Sequence, residues 1–254
     1  MTRFSANLGF LWTDRALPDA IRAAKAAGFD AVECHWPYDV PPSAVKAALN
    51  ETQLRMLGLN TRRGDVAAGD NGLAAIPGRQ AEARATIEEA IGYAVEIGAD
   101  NIHVMAGYAE GTEARRTFID NLVWACDKAA RQGLTILIEP LNAYDAPGYF
   151  LQTTHQAAKI ITDVGAKNLK LMFDCYHVGR TEGDVIAQLK QLLPLTGHIQ
   201  FASVPDRGTP DHGEVDYRAV FALLDEMGWD IPLGAEYKPQ STTEASLGWM
   251  SVLR

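Results

Sequence analysis

A (β/α)8 barrel is the fold class this sequence predicts, on three observations. Short apolar segments alternate with longer amphipathic ones along the whole chain. Glycines recur between them at Gly28, Gly58, Gly98, Gly133, Gly165, Gly197 and Gly228, about 30 to 40 residues apart, the length of one helix, one strand and two loops. Acidic or amide residues sit at the ends of the late apolar segments. An open doubly wound sheet is the runner-up. It would normally carry a Gly-rich phosphate loop after its first strand, and none follows Phe10. The 254 residues suit a single barrel domain, 1–254.

The elements follow in order. Phe4–Phe10 is the first expected strand. Ala31–Cys34, Met56–Asn60, Asn101–Met105, Thr135–Glu139, Leu169–Asp174, His198–Ala202 and Ile231–Glu236 are the other seven. Thr135-Ile-Leu-Ile is short, apolar and bounded by Gly133 and Pro140, the pattern of a buried parallel strand. Between strands, Leu17–Ala27, Arg79–Ile97, Thr117–Arg131 and Ala219–Met227 carry helical periodicity. The recurring glycines fit the helix C′ position, where the left-handed conformation is needed. The longest irregular stretch, Asn60–Gly78, follows the third strand and is glycine-rich. In a barrel it lies on the C-terminal face, where a lid would sit.

Composition narrows the function. The chain is 47% hydrophobic and 22% charged, and no apolar run reaches the ~18 to 20 residues of a membrane span. The first residues lack a signal-peptide h-region, so a cytoplasmic location is expected. The net charge of −9 argues against nucleic acid as a partner. A small molecule is the expected partner, and a homo-oligomer is compatible with the sequence. Cys34, Cys126 and Cys175 are odd in number and form no CxxC pair, so they read as free thiols.

In a barrel, polar side chains at the C-terminal ends of the strands share one site. Strand five ends in Glu139, strand six in Asp174 and strand eight in Glu236, and strand seven carries Gln200. Three carboxylates cannot all stay ionised at close quarters without a cation. A divalent metal resolves this, and all-oxygen donors suit Mg2+ or Mn2+ better than zinc. Arg207 and Lys238 follow two of these strands and are candidates for holding a substrate carboxylate. His177, three residues past Asp174, and His103, near the end of strand four, are candidates for a substrate oxygen. Glu33 reads as a supporting carboxylate. Trp12, Trp36 and Tyr108 are candidates for pocket walls.

Several segments together resemble the hydroxypyruvate isomerase family of xylose-isomerase-like TIM barrels. They are Ile138-Glu-Pro-Leu-Asn, Phe173-Asp-Cys-Tyr-His, His198-Ile-Gln-Phe-Ala-Ser-Val-Pro-Asp-Arg, Gly213-Glu-Val-Asp-Tyr and Ala235-Glu-Tyr-Lys-Pro. Gly72-Leu-Ala-Ala-Ile-Pro-Gly-Arg, Ile102-His-Val-Met-Ala-Gly and Leu247-Gly-Trp extend the resemblance over nearly the whole chain. The same segments look like the 2-oxo-tetronate isomerases. The resemblance implies that Glu139, Asp174, Gln200 and Glu236 are metal ligands, with Glu139 and Glu236 doubling as the acid/base pair. Ketose 3-epimerases usually have histidine where this chain has Gln200, which favours the isomerase. Gly208-Thr-Pro-Asp-His departs from the His-Glu-Pro common in the family at that point.

The expected reaction is an aldose–ketose isomerisation of a small hydroxy-oxo acid, hydroxypyruvate to tartronate semialdehyde. A chelated cation would acidify the C–H beside the carbonyl and stabilise the enediolate. One glutamate would remove that proton and the pair would return one to the adjacent carbon. A 2-oxo-tetronate isomerase and a ketose 3-epimerase are the alternatives. A zinc-dependent phosphodiesterase on the same barrel would need a histidine-rich site and a basic surface, against six histidines and a charge of −9.

Overall fold

The computed structural model describes residues 2–253. Among these, nine parallel strands form one sheet: β1 (Phe4–Asn7), β2 (Ala31–Glu33), β3 (Arg55–Met56), β4 (Gly58–Asn60), β5 (Asn101–His103), β6 (Thr135–Ile138), β7 (Leu169–Asp174), β8 (Thr196–Phe201) and β9 (Leu233–Ala235). Their order is β3-β2-β1-β9-β8-β7-β6-β5-β4. The two ends of that order, β3 and β4, are halves of the expected third strand, parted only by Leu57. Backbone bonds Leu57 N to Val32 O (2.7 Å), Cys34 N to Gly58 O (3.1 Å) and Asn60 N to His35 O (2.8 Å) tie this strand to β2. The sheet thus closes into a barrel with eight strand positions, as expected.

Helices cover the outside: α1 (Leu17–Ala26), α2 (Pro42–Thr52), α3 (Gln80–Ile97), α4 (Gly111–Ala130), α5 (Thr154–Val164), α6 (Cys175–Thr181), α7 (Val185–Leu192), α8 (Tyr217–Glu226) and α9 (Trp249–Leu253). Each long one buries an apolar stripe against the sheet, such as Ala20, Ile21 and Ala24 of α1. Side chains cap the starts of α5, α6, α7 and α8. Thr153 accepts from Gln156 N ahead of α5, and Asp216 accepts from Arg218 N and Ala219 N ahead of α8. Phe4, Phe201, Phe221 and Trp249 pack ring against ring where β1 and β8 meet α8 and α9, with Phe4 and Trp249 at 4.9 Å.

Two glycines of the repeat do other work. Gly28, Gly98, Gly133, Gly165 and Gly228 have positive φ after a helix, as expected. Gly58 and Gly197 do not. The non-glycine Gln53, at φ 57°, takes the left-handed position after α2. Gly197 is the extra residue of a β-bulge, because Leu171 pairs with Thr196 and Met172 with His198. A Cβ there would lie 2.6 Å from Lys170 Cβ and 2.9 Å from Leu137 Cδ2. The bulge sets which β8 residues face inward, beside Met172 and Asp174.

The 60–78 stretch divides in two. Its tip, around Val66, is exposed. Its second half is anchored: Ala74 N and Ala75 N donate to Met105 O and Ala106 O, and Arg79 grips Asp70 at 2.8 Å. Of the aromatics expected in the pocket, Trp12 is a core residue, 1% exposed and hydrogen-bonded to Thr243 and Glu244. Trp36 and Tyr108 are partly exposed.

Candidate active site

Side chains along a strand alternate between its faces, so every second residue enters the barrel. On the late strands Leu137, Met172, His198 and Gly234 are followed two positions on by Glu139, Asp174, Gln200 and Glu236. Asp174 pairs in register with Gln200, and Gln200 with Gly234. All four polar residues are buried, with exposures of 6% or less. The structure therefore brings the four together at the C-terminal ends of the strands, with His103, His177 and Arg207 among them.

Glu139 follows β6 directly. Its carboxylate lies 3.4 Å from His103 Nδ1 and 3.9 Å from His177 Nε2. Burial, then Glu236 and Asp174, push it well above the usual carboxylate range. Asp174 closes β7 and caps α6 through Tyr176 N at 2.8 Å. Its other oxygen, Oδ2, is buried without a hydrogen-bond partner, 3.6 Å from both His177 Nε2 and Arg207 Nη2. Burial and Glu236 raise its pKa to about 7. Burial would raise Glu236 too, but Arg207 and His35 beside it hold it well below the usual range.

Arg207 provides the positive charge at this cluster. It is ion-paired with Glu236 Oε2, lies 3.7 Å from Asp145 Oδ2, and is sandwiched between Phe10 at 4.7 Å and Tyr176 at 4.8 Å. Its backbone is left-handed, φ 55°, unusual for a residue with a Cβ. Backbone bonds to Ser203 O and from Lys238 N, both 2.8 Å, hold that turn. The Lys238 side chain is exposed and does not join the buried group.

Ligand atoms of Glu139, Asp174 and His177 lie within 4.8 Å of one another, close enough to share an ion. The hydrogen bonds of His177 argue against it as a ligand. Its Nδ1 accepts from Asn142 N at 3.0 Å and from Asn142 Nδ2 at 2.7 Å. The Asn142 amide cannot be reversed, because its Oδ1 accepts from Tyr144 N and Asp145 N. The ring is neutral, its pKa lowered to about 3 by burial and Arg207. Its one proton therefore sits on Nε2, which faces the carboxylates as a donor.

Comparison with known proteins now places the chain. The profile of the xylose isomerase-like TIM barrel matches residues 21–253. The chain belongs to that family. The 2-oxo-tetronate isomerase of Cupriavidus necator is 46% identical over 98% of both chains. The hydroxypyruvate isomerase of Escherichia coli is 38% identical over the full length of both. A crystal structure from Brucella melitensis, described as AP endonuclease, family 2, is 36% identical and superposes over both whole chains with a TM-score of 0.96. As a family member with isomerases for full-length relatives, the protein is an isomerase.

Asn7, His35, Asn142 and His198 are site residues that sequence reasoning does not single out. Asn7 bridges Glu33 Oε1 and Glu236 Oε1 at 3.1 and 2.9 Å, and His35 Nε2 lies 3.1 Å from Glu236 Oε1. A signal exists for two of them. His35 stands two residues after Glu33 and His198 two before Gln200, the spacing of a shared face. Asn142 carries no such mark.

Proposed function

We propose that this isomerase converts a 3-hydroxy-2-oxo acid into the 2-hydroxy-3-oxo acid, hydroxypyruvate to tartronate semialdehyde in the smallest case, with Mg2+ or Mn2+ bound. The observation that carries the reading is the pair Glu139 and Glu236, buried on different strands of one small site beside a fixed histidine donor. The donor atoms fit an oxygen-preferring cation. Asp174 Oδ2 and Gln200 Oε1 are buried with no hydrogen-bond partner, and no hydrogen bond engages the Glu139 carboxylate among the described residues. Glu139, Asp174, Gln200 and Glu236 would hold the ion. Once bound, it would polarise the 2-oxo group and ease ionisation of the neighbouring C–H.

The chain's own residues supply the rest. One glutamate takes the proton from C3 and the pair returns a proton to C2, while the C3 hydroxyl proton passes to the C2 oxygen. The His177 Nε2–H is aimed at the same small volume and donates to a substrate oxygen as charge develops there. Arg207 has Glu236, Asp174 and, more distantly, Asp145 for charged partners in the protein alone. With those carboxylates neutralised by a cation, its planar fork is available to the substrate carboxylate. Phe10 and Tyr176 keep the guanidinium flat and shielded from water.

A 2-oxo-tetronate substrate is the second reading, favoured by the 46% identity to an isomerase of that name. It has the same reacting carbons with one more hydroxymethylene unit. The test is a substrate panel of hydroxypyruvate, 2-oxo-tetronate and free ketoses with Mg2+ and Mn2+, with deuterium exchange at the reacting carbon followed by NMR. Glu139→Gln and Glu236→Gln should each slow exchange by about 10²- to 10⁴-fold. Undiminished exchange in both variants would sink the acid/base assignment, and C3 inversion of ketoses alone would make the enzyme an epimerase.

A further inference from the structure

The interior of the barrel beneath the carboxylates holds a second buried polar group. Glu33, at the end of β2, is 4% exposed. Its Oε1 accepts from Asn7 Nδ2 at 3.1 Å and lies 2.7 Å from Gln200 Nε2, and its Oε2 lies 2.7 Å from His198 Nε2. The fit around it is close. A Cβ on Gly234 would lie 2.6 and 2.7 Å from the two Glu33 oxygens and 2.8 Å from Gln200 Cγ.

This geometry decides which way the Gln200 amide points. The Asn7 amide is itself fixed, since its Oδ1 accepts from Gly9 N at 2.9 Å, so its Nδ2 must face Glu33 and Glu236. Glu33 Oε1 is therefore an acceptor, whatever the protonation of Oε2. An acceptor at 2.7 Å requires the NH2 of Gln200, not its carbonyl. Glu236 Oε1, 3.4 Å from the same Nε2, demands the same orientation. The carbonyl Oε1 of Gln200 is left buried with no partner, on the residue paired in register with Asp174. A free glutamine can present either end to a ligand; this one cannot.

We infer that Glu33 is a positioning residue: it captures the Gln200 amide N–H so that the Gln200 carbonyl oxygen stands ready as an acceptor beside Asp174. The inference rests on the reading of Gln200 as a cation ligand, and the experiment separates the two. Metal-stripped protein is titrated with Mn2+ by calorimetry and by the electron paramagnetic resonance of free Mn2+, with near-UV circular dichroism to confirm folding. Gln200→Ala tests the ligand. Glu33→Leu tests the positioning, because it removes the acceptor that holds the Gln200 N–H and frees the amide to turn. Glu33→Leu should weaken Mn2+ binding by about 10- to 100-fold, the usual cost of losing an outer partner of a ligand. Glu33→Gln keeps an acceptor there, because the fixed Asn7 Nδ2 draws its carbonyl oxygen, and should bind Mn2+ like the wild type. If Gln200→Ala weakens binding and Glu33→Leu does not, the positioning role is wrong while the ligand stands. If Glu33→Gln weakens binding as much as Glu33→Leu, the charge or packing of Glu33 matters and not its hold on the amide, and the inference falls. If Gln200→Ala changes nothing, the ligand reading falls first.

Discussion

Replacing Arg207 with alanine in the metal-free protein tests the charge balance of the site. The side chain is only 12% exposed, ion-paired with Glu236 Oε2 and 3.6 Å from Asp174 Oδ2. Removing one member of a buried pair leaves the other charge uncompensated, at a cost of about 3 to 5 kcal/mol. For a chain of this size that is a fall in Tm of roughly 6 to 20 °C. The assay is differential scanning calorimetry in EDTA at neutral pH, wild type against Arg207→Ala. Added Mn2+ should then recover part of the loss, because a cation on the same carboxylates replaces the missing charge. An Arg207→Ala protein melting within about 2 °C of wild type in EDTA would refute the reasoning, since even the smallest expected cost exceeds that. So would a loss that Mn2+ leaves untouched.

Two further outcomes are expected. Burial lowers His103 from the ordinary 6.5 to about 3, so the unfolded imidazole takes up its proton first and this group's contribution to stability is lost as pH falls through that window. His103→Asn should therefore gain on wild type in urea melts of metal-free protein between pH 6.5 and 5, by about 2 kcal/mol; a constant gap would mean His103 is not held neutral. Gly234→Ala forces a methyl group against Glu33 and Gln200 and should cost about 1 to 3 kcal/mol by chemical denaturation, whereas wild-type stability would show that β9 yields easily.

Much of the fold was legible because it is written in local patterns. The four residues of Thr135–Ile138 are apolar and closely bounded, and they form β6 as expected. The alternation of helix and strand needs no tertiary information. The third strand's break at Leu57 and the bulge at Gly197 were not legible. Both depend on how neighbouring strands meet, and a glycine in a bulge looks like a glycine after a helix. Helices α2, α5, α6, α7 and α9 were not singled out either, although α5 and α7 carry apolar stripes at helical spacing, Ala157, Ile160 and Ile161 in one and Val185, Leu189 and Leu192 in the other, that periodicity makes legible.

At the site, strand-end position alone gathered Glu139, Asp174, Gln200 and Glu236, because the barrel turns every such position toward one volume. Sequence could not rank Arg207 against Lys238. Both follow strand ends, yet the left-handed turn at Arg207 carries its guanidinium inward while the Lys238 side chain stays exposed. Nor could it show which end of the Gln200 amide faces the site, or which nitrogen of His177 holds the proton. Those depend on Asn7 and Glu33 in one case and Asn142 in the other, residues 35 to 193 positions away in the chain. A hydrogen bond requires a particular atom within about 3 Å, and only the closed barrel brings such distant residues that close.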